Sequence, residues 1–153
     1  MQNIPCFHMF SNSWINLGWV KLFDFKMTLK TCLLVTDDPD DHQAFSEAIS
    51  EIAEEAIVLV VLDSQKALEL LKSKTHLPHY IFLDLSMYGI RINSILSILR
   101  EDPHLHAIQA IVYGEAQNFD RIENRKELTF FNKEYEYSEL QKFLRTLFSL
   151  DNE

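Results

Sequence analysis

Two kinds of segment alternate along the chain. Short runs of consecutive apolar residues, many of them β-branched, predict strands that are buried on both faces. Between these runs, apolar residues recur every three or four positions, as they do on one face of a helix. The predicted strands cover residues 31–36, 56–62, 107–113 and 128–131, together with the run that ends at Asp84.

The helical segments are predicted from their apolar stripes and from capping residues. The stripes are Phe45, Ala48, Ile49 and Ile52; Ala67, Leu70 and Leu71; Ile92, Ile95, Leu96 and Leu99; and Leu140, Phe143, Leu144 and Leu147. Asp38 followed by Pro39 predicts the start of the first helix, and Asp63 or Ser64 the start of the second. Residues 115–127 contain few apolar residues and predict only a short or loosely held helix.

Strands that alternate with helices predict right-handed crossovers and a parallel sheet. The expected fold class is therefore α/β: one doubly wound domain with five parallel strands and helices on both faces. Residues 1–26 differ from the rest, because they contain both tryptophans of the chain and four of its eleven phenylalanines. We expect residues 1–26 to be an extension outside the fold, from a mis-assigned translation start. The alternative is an aromatic segment that packs on the domain or on a partner. The domain itself is expected over residues 27–153.

Charge and composition exclude several classes of function. A net charge of -9 over 153 residues argues against nucleic acid or an anionic membrane surface as the main partner. The two cysteines, Cys6 and Cys32, are too few for a disulfide framework, and Cys32 is expected in the core. The three glycines are scattered, so the chain has no glycine-rich loop for a nucleotide.

Candidate chemistry lies where the predicted strands end. Asp84 closes the third strand, Asp37 and Asp38 follow the first, and Lys133 follows the fifth. Open parallel sheets carry their sites at the carboxyl ends of their strands, so these side chains are expected to meet. Gathered carboxylates favour Mg²⁺, and a lysine beside them can hold a phosphoryl group. Alternatively, the aspartates only cap turns and helices, and Lys133 is a solvated residue at a strand end.

Residues 31–150 resemble the receiver domain of bacterial two-component response regulators. The resemblance is carried by residues 34–39, 82–87 and 130–133, in the order that is typical of the family. It implies a flavodoxin-like sheet of order 2-1-3-4-5 with Asp84 as phosphoacceptor. It also implies that Asp37, Asp38, Asp84 and the main-chain carbonyl of Ser86 hold Mg²⁺, and that Lys133 contacts the phosphoryl group.

The chain departs from the family pattern at the positions that normally switch. Gly114 stands where receivers carry a threonine or serine whose hydroxyl bonds the phosphoryl group. Phe130 occupies the position of the aromatic residue that normally responds to that hydroxyl, and Glu115 follows Gly114 where a small residue is usual. The residue types for phosphoryl acceptance are therefore present, whereas the hydroxyl on which the usual switch depends is missing.

The resemblance implies a single-domain, cytoplasmic signalling protein rather than an enzyme, with at most slow autodephosphorylation. Its partners would be a histidine kinase or phosphotransfer protein, and a downstream protein bound at the face of the fourth helical segment, the fifth strand and the final helix. The alternative is a degenerate receiver that binds partners without phosphorylation. An aspartyl phosphatase is disfavoured because Ser86 occupies the position of the second aspartate that such enzymes use as general acid.

Overall fold

The computed structural model describes residues 29–87, 89–134 and 136–149. The extension expected over residues 1–26 lies outside the described residues. The strands are β1 (Thr31–Val35), β2 (Ile57–Val61), β3 (Tyr80–Asp84), β4 (Gln109–Gly114) and β5 (Thr129–Asn132). The helices are α1 (Pro39–Ile52), α2 (Ser64–Ser73), α3 (Ile92–Glu101) and α4 (Tyr137–Ser149), and two 3₁₀ segments are η1 (Ala116–Arg121) and η2 (Arg125–Glu127).

The five strands form one parallel sheet of order β2-β1-β3-β4-β5. The predicted fold class and strand order are therefore confirmed. β3 lies at the centre of the sheet, and all five of its residues are buried. β2 lies at an edge, where Ile57 and the neighbouring Leu62 are exposed. The apolar sequence of β2 thus resembles that of a central strand, although its side chains are only partly buried.

Two apolar clusters cover the two faces of the sheet. One packs α2 and α3 against the side chains of Leu33, Val35 and their neighbours on that face. The other packs α1 and α4 against the opposite face, where Phe45 contacts both Phe82 and Tyr113 at ring-centroid distances of 5.2 and 4.9 Å. Cys32 belongs to this second cluster, and burial raises the pKa of its thiol to about 12.

Helices α1 and α2 begin at the residues that the sequence indicates. Asp38 caps α1 by accepting a hydrogen bond from the Asp40 amide, with Pro39 in the first turn. Asp63 caps α2 by accepting from the Lys66 amide. These two caps fix where α1 and α2 leave the sheet, so the first turn of α1 begins directly beside the carboxyl end of β1.

The segment between β4 and β5 differs from the helix predicted over residues 115–127. It forms the two short 3₁₀ segments η1 and η2 instead of an α-helix. Its only buried apolar residue is Ile122. The ring of Phe119 packs against that of Phe130 on β5, with 4.9 Å between the two ring centroids. So few apolar contacts do not offset the entropy that a longer helix would lose.

Candidate functional site

The carboxyl ends of the parallel strands β1, β3 and β5 lie at the same end of the sheet. Val35 pairs with Leu83, so Thr36 is level with Asp84. Gly114 pairs with Asn132, and the next amide, that of Lys133, donates to the Gly114 carbonyl at 2.8 Å. The parallel register therefore brings residues that are distant in sequence to the carboxyl end of β3, from β1 on one side and from β4 and β5 on the other.

Asp84 is the buried carboxylate at the centre of this edge, with an exposed fraction of 1%. Its Oδ2 atom accepts a hydrogen bond from the Thr36 hydroxyl at 2.8 Å. Its Oδ1 atom accepts from the Ser86 amide, also at 2.8 Å. The carboxylate is thus held in a fixed orientation by one donor from the residue that follows β1 and one from the loop after β3.

Lys133 is the cation that faces this carboxylate. Its Nζ atom lies 3.9 Å from Asp84 Oδ2 and 3.2 Å from Asp38 Oδ2. It lies closer still, at 2.6 Å, to Oδ2 of Asp41 in the first turn of α1. The single ammonium group of Lys133 therefore contacts three carboxylates, and its shortest contact is with Asp41 rather than with Asp84.

The pKa values of these groups shift in directions that follow from burial and charge. Burial raises the pKa of Asp41 although the nearby ammonium works against this effect. The hydrogen bond from the Asp40 amide lowers the pKa of Asp38, and Lys133 lowers it further. Partial burial works to lower the pKa of Lys133, but the surrounding carboxylates outweigh it and raise that pKa. The ammonium form of Lys133 is therefore stabilised in this setting.

The structure brings together three of the four side chains that the sequence predicted to meet. Asp38, Asp84 and Lys133 share the cluster described above. Asp37 is exposed, and within the described residues its carboxylate joins none of the hydrogen bonds and ion pairs of the cluster. Ser86 is next to the site through its amide, and the metal role of its carbonyl stays a prediction.

Sequence reasoning missed Thr36 and Asp41. Thr36 is buried, and its hydroxyl both donates to Asp84 and accepts from the Asp38 amide at 3.1 Å. The signal was available for Thr36, since it is the first residue beyond β1 and is level with Asp84. Asp41 lies three residues after Asp38, a spacing that places both on one side of a helix.

Gly114 lies against the loop that follows β3. A Cβ atom at this position would lie 2.9 Å from the Cβ atom of Leu85, closer than real carbon atoms approach. Leu85 is itself held there because its amide donates to the Tyr113 carbonyl at 2.8 Å. In this arrangement the position has no room for a threonine or serine side chain, which accounts for the glycine.

The chemistry of the donors suits a hard divalent cation, but their arrangement does not form a complete site. Carboxylate and carbonyl oxygens are the ligands that Mg²⁺ prefers. Within the described residues, however, no three side chains of His, Cys, Asp or Glu are grouped so that they could hold a metal ion. Both oxygens of Asp84 also accept hydrogen bonds from the chain itself. A metal would need Asp37 to turn inward or Asp38 to release Lys133.

No family model matches this chain, and no curated protein matches it in sequence. Solved structures do match its fold. The phosphorylated cyanobacterial phytochrome response regulator RcpA shares 23% identity with a TM-score of 0.66, over 78% of this chain and 91% of that one. The signal receiver domain of a DNA-binding response regulator (merR) from Colwellia psychrerythraea 34H shares 23% identity with a TM-score of 0.64, over 78% and 98% of the two chains.

A third match is the Mn²⁺-bound form of the response regulator Rcp1. It shares 20% identity with a TM-score of 0.64, over 77% of this chain and 91% of that one. Residues 31–149 therefore have the fold of response regulator receiver domains, as the sequence resemblance predicted. In the part of the chain that the structure describes, no helix is both long and apolar enough to cross a membrane.

Proposed function

We propose that this chain is a response regulator receiver that accepts a phosphoryl group on Asp84. The observation that carries the proposal is a carboxylate buried at the end of the central strand, with the Lys133 ammonium 3.9 Å from its Oδ2 atom. If Asp84 only capped a turn at the end of β3, it would not need a lysine from the end of β5 beside it. The receiver-like fold of residues 31–149 supports the same assignment.

The reaction transfers a phosphoryl group from the phosphohistidine of a histidine kinase or phosphotransfer protein. An oxygen of Asp84 forms the new P–O bond while the P–N bond breaks, and the departing imidazole takes up a proton. Lys133 neutralises part of the charge of the phosphoryl oxygens and orients them. The Thr36 hydroxyl and the Ser86 amide hold the carboxylate in a fixed orientation. The product is an acyl phosphate that serves as a signal, with at most slow hydrolysis.

Mg²⁺ would offset the charges of the carboxylates and of the phosphoryl oxygens when it is bound. Its proposed ligands are the carboxylates of Asp37, Asp38 and Asp84 and the main-chain carbonyl of Ser86. Asp37 is exposed and outside the ion-pair cluster, whereas Asp38 is engaged by the Asp40 amide and by Lys133. Titration calorimetry with Mg²⁺ should therefore show a larger loss of affinity for Asp37→Asn than for Asp38→Asn. The opposite order would assign the metal to Asp38.

The signal would leave through protein–protein contacts. The proposed downstream face combines η1 and η2 with β5 and α4. Phe130 is half-buried on this face and packs against Phe119 of η1. A new negative charge at Asp84 would bias an equilibrium between conformations of these elements.

A small-molecule phosphodonor tests the proposal directly. The chain is incubated with acetyl phosphate and Mg²⁺, and its intact mass is measured over time. Wild type should gain the mass of one phosphoryl group, while Asp84→Asn should gain none. The proposal fails if wild type gains no mass or if Asp84→Asn gains as much as wild type does.

A second candidate is a degenerate receiver that binds its partner without phosphorylation. Two observations favour it: Leu85 fills the space beside Gly114, and the Thr36 hydroxyl occupies one oxygen of Asp84. Pull-down of a partner by wild type and by Asp84→Asn separates the two functions. Equal binding in the presence of acetyl phosphate supports the degenerate module, and binding that depends on Asp84 supports the phosphorylated receiver.

A further inference from the structure

The ion pair between Lys133 and Asp41 joins two elements that otherwise flank the site. Lys133 follows β5, and Asp41 lies in the first turn of α1. The two charged atoms are 2.6 Å apart, compared with 3.9 Å between the same Nζ atom and Asp84 Oδ2. The side chain of Asp41 is only 13% exposed, so water screens this contact less than it would screen a surface ion pair.

The hydroxyl of Tyr113 is a second buried polar group beside Asp41. Among the described residues, no hydrogen bond of acceptable geometry reaches Oδ2 of Asp41, whose ion-pair partner is Lys133, or the hydroxyl of Tyr113. Both side chains line one small cavity of about 170 Å³ between α1 and α4. The cavity therefore places a hydroxyl donor beside the carboxylate that pairs with Lys133.

We propose that Asp41 is a positioning residue that holds Lys133 away from Asp84 until a phosphoryl group arrives. This inference rests on the proposed phosphoryl acceptance and names a regulating contact within the same site. In the unphosphorylated chain the ammonium is divided among three carboxylates and favours Asp41. A phosphoryl group on Asp84 adds more negative charge than one carboxylate offers, so the ammonium moves toward it.

The departure of Lys133 has a consequence for α1. Asp41 is then a largely buried carboxylate without its cation, which is unfavourable unless another donor replaces the lysine. The Tyr113 hydroxyl borders the same cavity and can donate a hydrogen bond to this carboxylate, since a phenol is protonated at neutral pH. Phosphorylation would thereby change contacts between α1 and α4, on one face of the sheet. This coupling does not require a hydroxyl group at position 114.

The rate of phosphoryl acceptance from acetyl phosphate, followed by intact mass, tests the inference. Asp41→Asn should accept roughly threefold faster or more, because it frees Lys133. Asp40→Asn is the matched control, since Asp40 is an exposed neighbour whose carboxylate is outside the ion pairs of Lys133. Lys133→Met and the double variant Asp41→Asn/Lys133→Met complete the set, and these two should react at the same rate if Asp41 acts only through the lysine.

Three results would overturn the inference. One is a rate for Asp41→Asn that equals or falls below that of wild type. Another is an equal acceleration by Asp40→Asn, which would indicate a general effect of charge. The third is acceleration by Asp41→Asn that persists when Lys133 is already replaced.

Urea unfolding of the same variants separates this inference from the proposed function, since it needs no phosphodonor. Asp41 and Lys133 should be coupled by about fivefold or more in the unfolding equilibrium constant. Absence of coupling would overturn the role of Asp41 even if Asp84 is phosphorylated. Clear coupling in a chain that gains no phosphoryl group would support the ion pair while refuting phosphoryl acceptance.

Discussion

Replacing Gly114 with alanine introduces one methyl group at the point where the loop after β3 contacts β4. The added carbon would lie 2.9 Å from the Cβ atom of Leu85. Carbon atoms in contact prefer a separation of roughly 3.5–4.0 Å, so one of the two segments must move by about 0.5–1 Å. Movement of Leu85 is restricted because its amide donates to the Tyr113 carbonyl at 2.8 Å.

The expected loss of stability has two causes that add together. Overpacking of this kind typically costs about 1–3 kcal/mol. The φ of Gly114 is +159°, a conformation that residues with a Cβ atom rarely adopt, so alanine is strained there and the usual gain from a stiffer unfolded chain is not expected. We therefore expect Gly114→Ala to lower the free energy of unfolding by about 2–4 kcal/mol, measured by urea denaturation.

A double-mutant cycle with Leu85→Gly isolates the contact between the two residues. Leu85→Gly removes the Cβ atom, and the next nearest atom, the Cα of residue 85, lies 3.8 Å from the added methyl group, an ordinary contact distance. Gly114→Ala should then cost less in the Leu85→Gly background, by about the 1–3 kcal/mol of overpacking, while the cost of the φ of +159° remains. Leu85→Gly also lowers stability by itself. The reasoning is refuted if Gly114→Ala costs the same in both backgrounds, or if it leaves wild type unchanged.

Three further predictions concern single side chains. Thr36→Val should lower the free energy of unfolding, measured by urea denaturation, by about 1.5–3 kcal/mol, because it removes a donor to the buried carboxylate of Asp84. Thr36→Ser keeps the hydroxyl and should retain most of the stability. Equal losses for the two variants would contradict this role of the hydroxyl. Tyr113→Phe should leave stability unchanged or raise it by up to about 1 kcal/mol. Thr36 and Asp41 lie near the buried hydroxyl, but among the described residues no hydrogen bond of acceptable geometry reaches it. A loss of stability on urea unfolding would show that one of these contacts is a hydrogen bond. The hydrogen bond from Lys74 helps to lower the pKa of Asp102 from 3.8 to about 2, so the stability contributed by Asp102 is present above pH 3.8 and is lost as the pH falls toward 2. Unfolding measured across that range should show a weaker pH dependence for Asp102→Asn, and an unchanged slope would argue against the shift.

Much of the fold could be predicted from the sequence because its signals are local. A run of apolar residues identifies β3, and an aspartate before a helical stripe identifies the starts of α1 and α2. The exposure of β2 could not be predicted in this way, because an edge strand and a central strand share the same composition. Residues 116–127 form short 3₁₀ segments rather than an α-helix because they have too little apolar surface to bury, and not because a helix-breaking residue interrupts them.

The site was predictable only in part, for a reason of geometry. Asp84 and Lys133 end or follow strands, and the topology alone brings strand ends together. The contact of Lys133 with Asp41 depends on where the first turn of α1 lies relative to the loop after β5, and no sequence pattern specifies that distance. The position of Asp37 likewise depends on the turn between β1 and α1, where Thr36 rather than Asp37 is directed at Asp84.

The central claim is that Asp84 itself carries the phosphoryl group, and chemical mapping of the modified residue tests it most directly. After incubation with acetyl phosphate and Mg²⁺, borohydride reduces an aspartyl phosphate to homoserine, which peptide mass spectrometry locates in the chain. The account predicts homoserine at position 84 alone, and only in the sample that received the phosphodonor. Homoserine at another aspartate, or its absence from a chain that gained phosphoryl mass, would contradict the account.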